Sequence, residues 1–157
     1  MIRRLCVLLL IVFGSSLAQV TAPATPEALA QFIHSAQVEV ILAAPVLRVP
    51  EVADALRRAV VERGVSVKIL TGSSSLNDGA SFWWGLQRAG ADLRLVREVR
   101  GYEVFIDGST RLSGDLIGRV LSPNVRGDVT LEHDATVPPR AERLRSIWAK
   151  ARVNRLP

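Results

Sequence analysis

Two histidines, His34 and His133, are the side chains whose ordinary pKa suits proton transfer near neutral pH. Neither has a partner at metal-ligand spacing, and His133 sits in Glu132-His133-Asp134, where strand neighbours point to opposite faces. Each is therefore read first as a surface or structural histidine, and no metal or cofactor is expected. The Gly72-Ser73-Ser74-Ser75 segment follows a predicted strand and offers backbone N–H groups to a phosphate. It has neither a P-loop lysine nor a three-glycine dinucleotide fingerprint, so an ordinary loop is the plainer reading. Lys68 and Lys150 are the only lysines among 20 basic residues. Guanidinium groups make bidentate contacts to phosphate and carboxylate, although a GC-rich genome also favours arginine. Arg48, Arg97 and Arg100 stand near predicted strand ends as candidate ligand contacts, against the alternative of solvated surface charge. Trp84 is the aromatic that is free to stack on a base, since Trp83 is expected to pack with Phe82 and Leu86.

The elements that must position these groups follow from periodicity and punctuation. Thr25-Pro26-Glu27 combines a cap, a proline at the first helical position and an early acid, and Ala28, Leu29, Phe32, Ile33 and Ala36 continue one apolar face. The run 38–44 is apolar except for Glu39 and suits a strand buried on both faces. Residues 51–63 carry Val52, Ala55, Leu56, Ala59 and Val60 at helical spacing between Pro50 and Gly64. A strand at 65–70, a loop at 72–79, a helix at 80–89 and a strand at 92–96 complete a βαβαβ order, which implies parallel strands with right-handed crossovers. The remaining strands, 102–106, 111–112 and 129–131, are joined by turns such as Asp107-Gly108, so the sheet is mixed. Leu144, Ile147, Trp148 and Ala151 mark the apolar stripe of a closing helix, where Arg140, Arg143, Arg145, Lys150, Arg152 and Arg155 face only Glu142.

The strongest local pattern runs from Arg100-Gly101-Tyr102 through Ile106-Asp107-Gly108 to Gly114-Asp115-Leu116-Ile117. With it, the chain resembles the phospholipase D superfamily, specifically small exported bacterial endonucleases that carry a single repeat. The resemblance also takes in the opening helix, the strand ending near Pro45, Arg63-Gly64-Val65-Ser66-Val67-Lys68-Ile69-Leu70 and the helix ending Ala89-Gly90-Ala91. In that family a histidine two residues before a lysine, then an aspartate, then Gly-Ser-x-Asn form the signature. Here the histidine position holds Arg100, the lysine position Tyr102, the serine position Asp115 and the asparagine position Ile117; Asp107 and Gly114 agree. The family's histidine is its nucleophile, and a guanidinium stays protonated and non-nucleophilic. The lost lysine would have offset charge on the transferring phosphoryl group, and Asp115 would repel phosphate. The resemblance therefore implies the fold and argues against the family's chemistry. Asp107 also has a purely structural explanation as a turn residue.

Composition sets the outer limits. The 157 residues are 48% hydrophobic and 22% charged with a net charge of +5, which excludes a disordered or fibrous chain. Arg3 and Arg4 precede an apolar run from Leu5 to Phe13 and small residues ending at Ala18, which reads as a secretory signal peptide over 1–18. That run is too short to span a bilayer, so no integral membrane segment is expected after cleavage. Loss of Arg3 and Arg4 lowers the net charge from +5 to +3, and Cys6, the single cysteine, leaves too. A linker over 19–26 and one α/β domain over 27–155 follow, with a mixed parallel and antiparallel sheet flanked by helices. The expected protein is exported, periplasmic or extracellular, and catalytically degenerate. It binds nucleic acid, anionic lipid or another anionic ligand or serves as an interaction module, and the resemblance implies a homodimer. The alternative is an active phosphodiesterase with a rewired site, in which His133 replaces the missing histidine.

Overall fold

The computed structural model describes residues 20–23, 25–119 and 128–153. In chain order these form β1 (Val20–Pro23), α1 (Pro26–His34), β2 (Glu39–Ala43), α2 (Pro50–Arg63), β3 (Ser66–Gly72), α3 (Trp83–Ala89) and β4 (Asp92–Val96). After them come β5 (Glu103–Ile106), β6 (Thr110–Ser113), β7 (Asp128–Glu132), α4 (Val137–Lys150) and β8 (Arg152–Val153). The eight strands lie in one sheet in the order β1-β7-β6-β5-β2-β3-β4-β8. Pairing is parallel within β2-β3-β4 and antiparallel elsewhere, so the sheet is mixed as expected.

Strand alternation decides the layers. Val40 and Leu42 of β2, Val67 and Ile69 of β3, and Leu93 of β4 point to the face covered by α1, α2 and α3, where the main core forms. Ile41 and Phe105 point to the other face, where Val137, Ala141 and Leu144 of α4 cover them. All five residues of β2 are buried, as its continuous apolar run implies. α2 begins on Pro50 and ends at Gly64 in the left-handed conformation (φ 66°), where its missing Cβ removes the steric cost.

Two boundaries and one helix face differ from expectation. Val20–Pro23, inside the segment read as a linker, pairs with β7 as an edge strand. Edge pairing uses backbone groups, and Pro23 is tolerated at the strand's end. α3 starts at Trp83 instead of residue 80, because Asp78 and Ser81 hold the preceding chain in a turn. The Asp78 carboxylate accepts from Ala80 N–H, while Ser81 accepts from Leu47 N–H and donates to Leu47 C=O. The inward face of α4 is Val137 and Ala141, buried, with Leu144 and Trp148 half-buried; Ile147, expected inside, is 42% exposed. Nor do the α4 arginines face only Glu142, since Arg140 pairs with Glu132 and Arg145 with Glu39. The proposed signal peptide at 1–18, with Cys6, and Arg155 lie outside the described residues. Among the described residues no helix is long and apolar enough to cross a membrane.

Candidate functional site

Because β2, β3 and β4 are parallel, the segments that follow them emerge along one edge of the sheet. β5 runs against β2 and enters from that edge, and β6 returns to it. The edge thereby gathers Arg48, Asp78, Arg97, Arg100, Tyr102 and Asp115 from four separate segments. Ligands in open α/β sheets occupy this position, outside the carboxyl ends of parallel strands.

Tyr102 is 5% exposed and fills the place where the resemblance would put a lysine. Its backbone C=O accepts from Gly114 N–H at 3.1 Å, and Gly118 C=O accepts from Arg48 N–H at 2.8 Å. These bonds draw the segments after β2 and β6 together around the phenol ring. Gly118 is required by the close approach: a Cβ there would overlap the Tyr102 ring and the Val46 carbonyl oxygen. Gly118→Ala is accordingly expected to cost about 2 kcal/mol, read as a lower denaturant midpoint at unchanged slope. Burial pushes the phenol pKa above its ordinary value, with Asp115 adding to the rise and Arg119 and Arg48 opposing it. A neutral, enclosed phenol is a poor nucleophile.

The surrounding cations are mostly engaged. Both Nε and Nη2 of Arg48 donate to one Asp78 oxygen, at 3.0 and 2.7 Å. Arg119 pairs with Asp115 at 3.3 Å. Arg100 pairs with Glu98 at 3.1 Å, yet its side chain is 85% exposed. Arg97 is exposed and has no carboxylate partner among the described residues. The edge thus presents Arg97 and Arg100 to solvent. The Gly72-Ser75 segment continues into a short 3-10 turn, with Ser73 Oγ donating to Val96 C=O. Trp83 is buried in the main core with Leu86, Trp84 is half-buried, and Phe82, expected inside, is 39% exposed.

The other two motif-related residues lie at the opposite edge. Asp107 occupies the β5–β6 turn and accepts from Gln37, Val38 and Glu39 N–H, each at 2.9 Å. His133 follows β7, which runs parallel in direction to β5, and its Nδ1 lies 3.0 Å from Thr110 Oγ1. Thr110 pairs with Ile106, at the far end of β5 from Tyr102, so His133 does not reach the arginine edge. His34 is exposed at the end of α1, with its C=O accepting from Arg63. Among the described residues no cluster of three or more His, Cys, Asp or Glu is placed to hold a metal ion.

Sequence reasoning missed an ionic assembly under α4. Glu39 accepts from Lys68 and from Arg145, which also pairs with Glu142. Trp148 is bracketed by Arg94, 3.6 Å from its ring centroid, and Lys68, at 5.0 Å. A lone carboxylate within the apolar run of β2 was the available signal.

The single mixed sheet, with its crossovers on one face and its arginine edge, is the phospholipase D-like fold of one repeat. The similar solved structures include Nuc from Salmonella typhimurium, a phospholipase D family member. It aligns with a TM-score of 0.71 and 20% identity over 90% of this chain and 99% of that one. NucT from Helicobacter pylori gives a TM-score of 0.70 and 16% identity over 89% of this chain and 99% of that one. TrmBL2, an archaeal chromatin protein with a novel mode of DNA binding, gives a TM-score of 0.59 and 19% identity over 92% of this chain and 57% of that one. No protein-family profile and no curated protein matches the sequence.

Proposed function

We propose that this chain is an exported phospholipase D-like domain that has lost the family's chemistry and binds a phosphodiester-bearing ligand without cleaving it. The observation that carries this reading is Tyr102: the position that would hold a phosphate-facing lysine holds a buried tyrosine whose phenol stays neutral. Arg100 in the nucleophile position cannot form a covalent phosphoryl intermediate. His133, the candidate replacement, stands on the other edge of the sheet. Arg97, and Arg100 beside Glu98, are the exposed cations that can meet an anion at the arginine edge, because Arg48 and Arg119 are held by Asp78 and Asp115. The DNA-binding chromatin protein among the similar structures makes nucleic acid the first ligand to try.

Purified protein is expected to leave bis(p-nitrophenyl) phosphate and plasmid DNA intact, at the rate of a buffer blank, while retaining DNA in a salt-sensitive manner. Arg97→Ala/Arg100→Ala should weaken retention by about threefold, as two exposed and partly neutralised contacts allow. Turnover that disappears in Tyr102→Phe or His133→Ala would overturn the reading.

A further inference from the structure

α4 leaves part of its sheet face uncovered. It lies over β2 and β3 and covers Phe105 of β5, while Glu103, Ser113 and Thr130 on the same face stand half-buried beside it. Between the helix flank and these strands runs a groove of about 410 Å³, walled by Arg140, Arg143 and Ile147 and floored by Glu103, Phe105 and Arg111. Arg140, Arg143, Ile147 and Lys150 follow one another at intervals of three, four and three residues, which places them on one stripe. From Arg140 to Lys150 the stripe extends about 15 Å.

The charge on this stripe is largely unopposed. Arg143 and Lys150 are exposed and pair with no carboxylate among the described residues. Arg111 and Arg140 share Glu132, with Glu103 also on Arg111, which neutralises the floor and leaves Arg143 as the wall's free cation, with Lys150 one turn beyond the groove. Next to the groove, Ser113 and Thr130 stand in register with Glu103, half-buried on the same face. Their hydroxyls are hydrogen-bond donors for phosphate oxygens.

We infer that this groove is a docking site for the sugar–phosphate backbone of nucleic acid, bound without reading its sequence. The inference rests on the phosphodiester-binding function proposed above and adds to its arginine edge a second surface for the same ligand. Arg143 and Lys150 at helical spacing, beside the half-buried hydroxyls of Ser113 and Thr130, complement a chain of phosphates. The groove's aromatic residue, Phe105, is buried, so no ring is presented for base stacking and contacts remain with the backbone. Ile147 supplies too little apolar surface for the helix to enter a bilayer, which separates this stripe from a lipid-inserting one.

The test compares full-length wild type, Arg143→Ala/Lys150→Ala and Arg97→Ala/Arg100→Ala, by fluorescence anisotropy with a duplex of about 20 bp and co-sedimentation with phosphatidylglycerol-containing vesicles. Both stripe positions are exposed and unpaired, so circular dichroism and melting temperature should not change. The stripe variant should bind the duplex about tenfold more weakly at about 50 mM salt, and its salt slope should fall by about 1.8. Two unrelated duplex sequences should bind alike. Stripe-variant binding equal to wild type, with loss confined to the edge variant, overturns the groove and leaves the proposed function standing. Wild type that binds vesicles but not the duplex overturns the choice of nucleic acid; wild type that binds neither overturns the proposed function and the groove together.

Discussion

Glu39→Ala should lower the stability of the domain by about 3 kcal/mol, because it leaves two cations facing a site from which their carboxylate has gone. The Glu39 side chain is 10% exposed, against 19% for Lys68 and 34% for Arg145. Burial by itself would raise the Glu39 pKa, but hydrogen bonds and charge from Arg145 and Lys68 outweigh it and hold the carboxyl below its ordinary range. Removing one member of a buried assembly costs more than the assembly contributes over an apolar replacement. Glu39→Leu/Lys68→Met is therefore expected to recover most of the loss, since neither residue then carries a buried charge and Arg145 keeps Glu142. The effect should be local first. α4 has only Val137 and Ala141 fully buried, so the Arg145 link to Glu39 and the Trp148 bracket supply much of its attachment. Amide exchange in α4 should accelerate in Glu39→Ala before exchange in β2 and β3 does. Equal acceleration in both would show that the assembly does not anchor the helix.

The contrast between β2 and α4 shows what residue patterns can carry. The continuous run 38–44 announces a strand buried on both faces, and its partners follow from the βαβ order. Helix α2 is equally plain, between Pro50 and Gly64. In α4 the apolar spacing is ambiguous: Leu144 and Trp148 suit either Val137-Ala141 or Ile147-Ala151 as companions. The ambiguity is settled by Arg145 reaching Glu39 and by Trp148 entering the gap between Arg94 and Lys68. Those partners are separated widely in the chain, and no local period encodes them. The arginine edge was legible for a topological reason, since Arg48, Arg97 and Arg100 follow strand ends that parallel pairing brings to one side. The neutralisation of Arg48 was not. Asp78 lies in a loop whose path depends on Ser81 bonding to Leu47, and only that path delivers its carboxylate to Arg48.

Asp107→Ala is expected to cost about 3 kcal/mol, and its pH dependence distinguishes a carboxylate clamp from a simple turn. Asp107 and Gly108 both have positive φ, 49° and 68°, as the primed hairpin turns require, and a non-glycine residue tolerates this best when it is Asn or Asp. Alanine would pay the backbone strain and abandon three N–H groups at the entry to β2. Asp107→Asn keeps the backbone preference and one acceptor oxygen, so it should lose about half as much. Burial tends to raise the Asp107 pKa, but the Glu39, Gln37 and Val38 N–H groups and the nearby Arg63 prevail and hold it below the ordinary aspartate value. With the folded pKa lowered, the unfolded chain binds more protons in the acid range, so the clamp's contribution is present above about pH 4 and disappears as the pH falls through the folded value. Melting temperature should therefore fall steeply below about pH 4 in the wild type and less steeply in Asp107→Asn, with Glu39, Asp54, Asp78 and Asp134, whose carboxyls are also held low, supplying the slope that remains. Parallel acid limbs in the two proteins would reduce Asp107 to a turn residue. The steeper wild-type limb instead gives the aspartate of the catalytic signature a structural task that needs neither the histidine nor the lysine, and explains how it can stand at this turn while both are replaced.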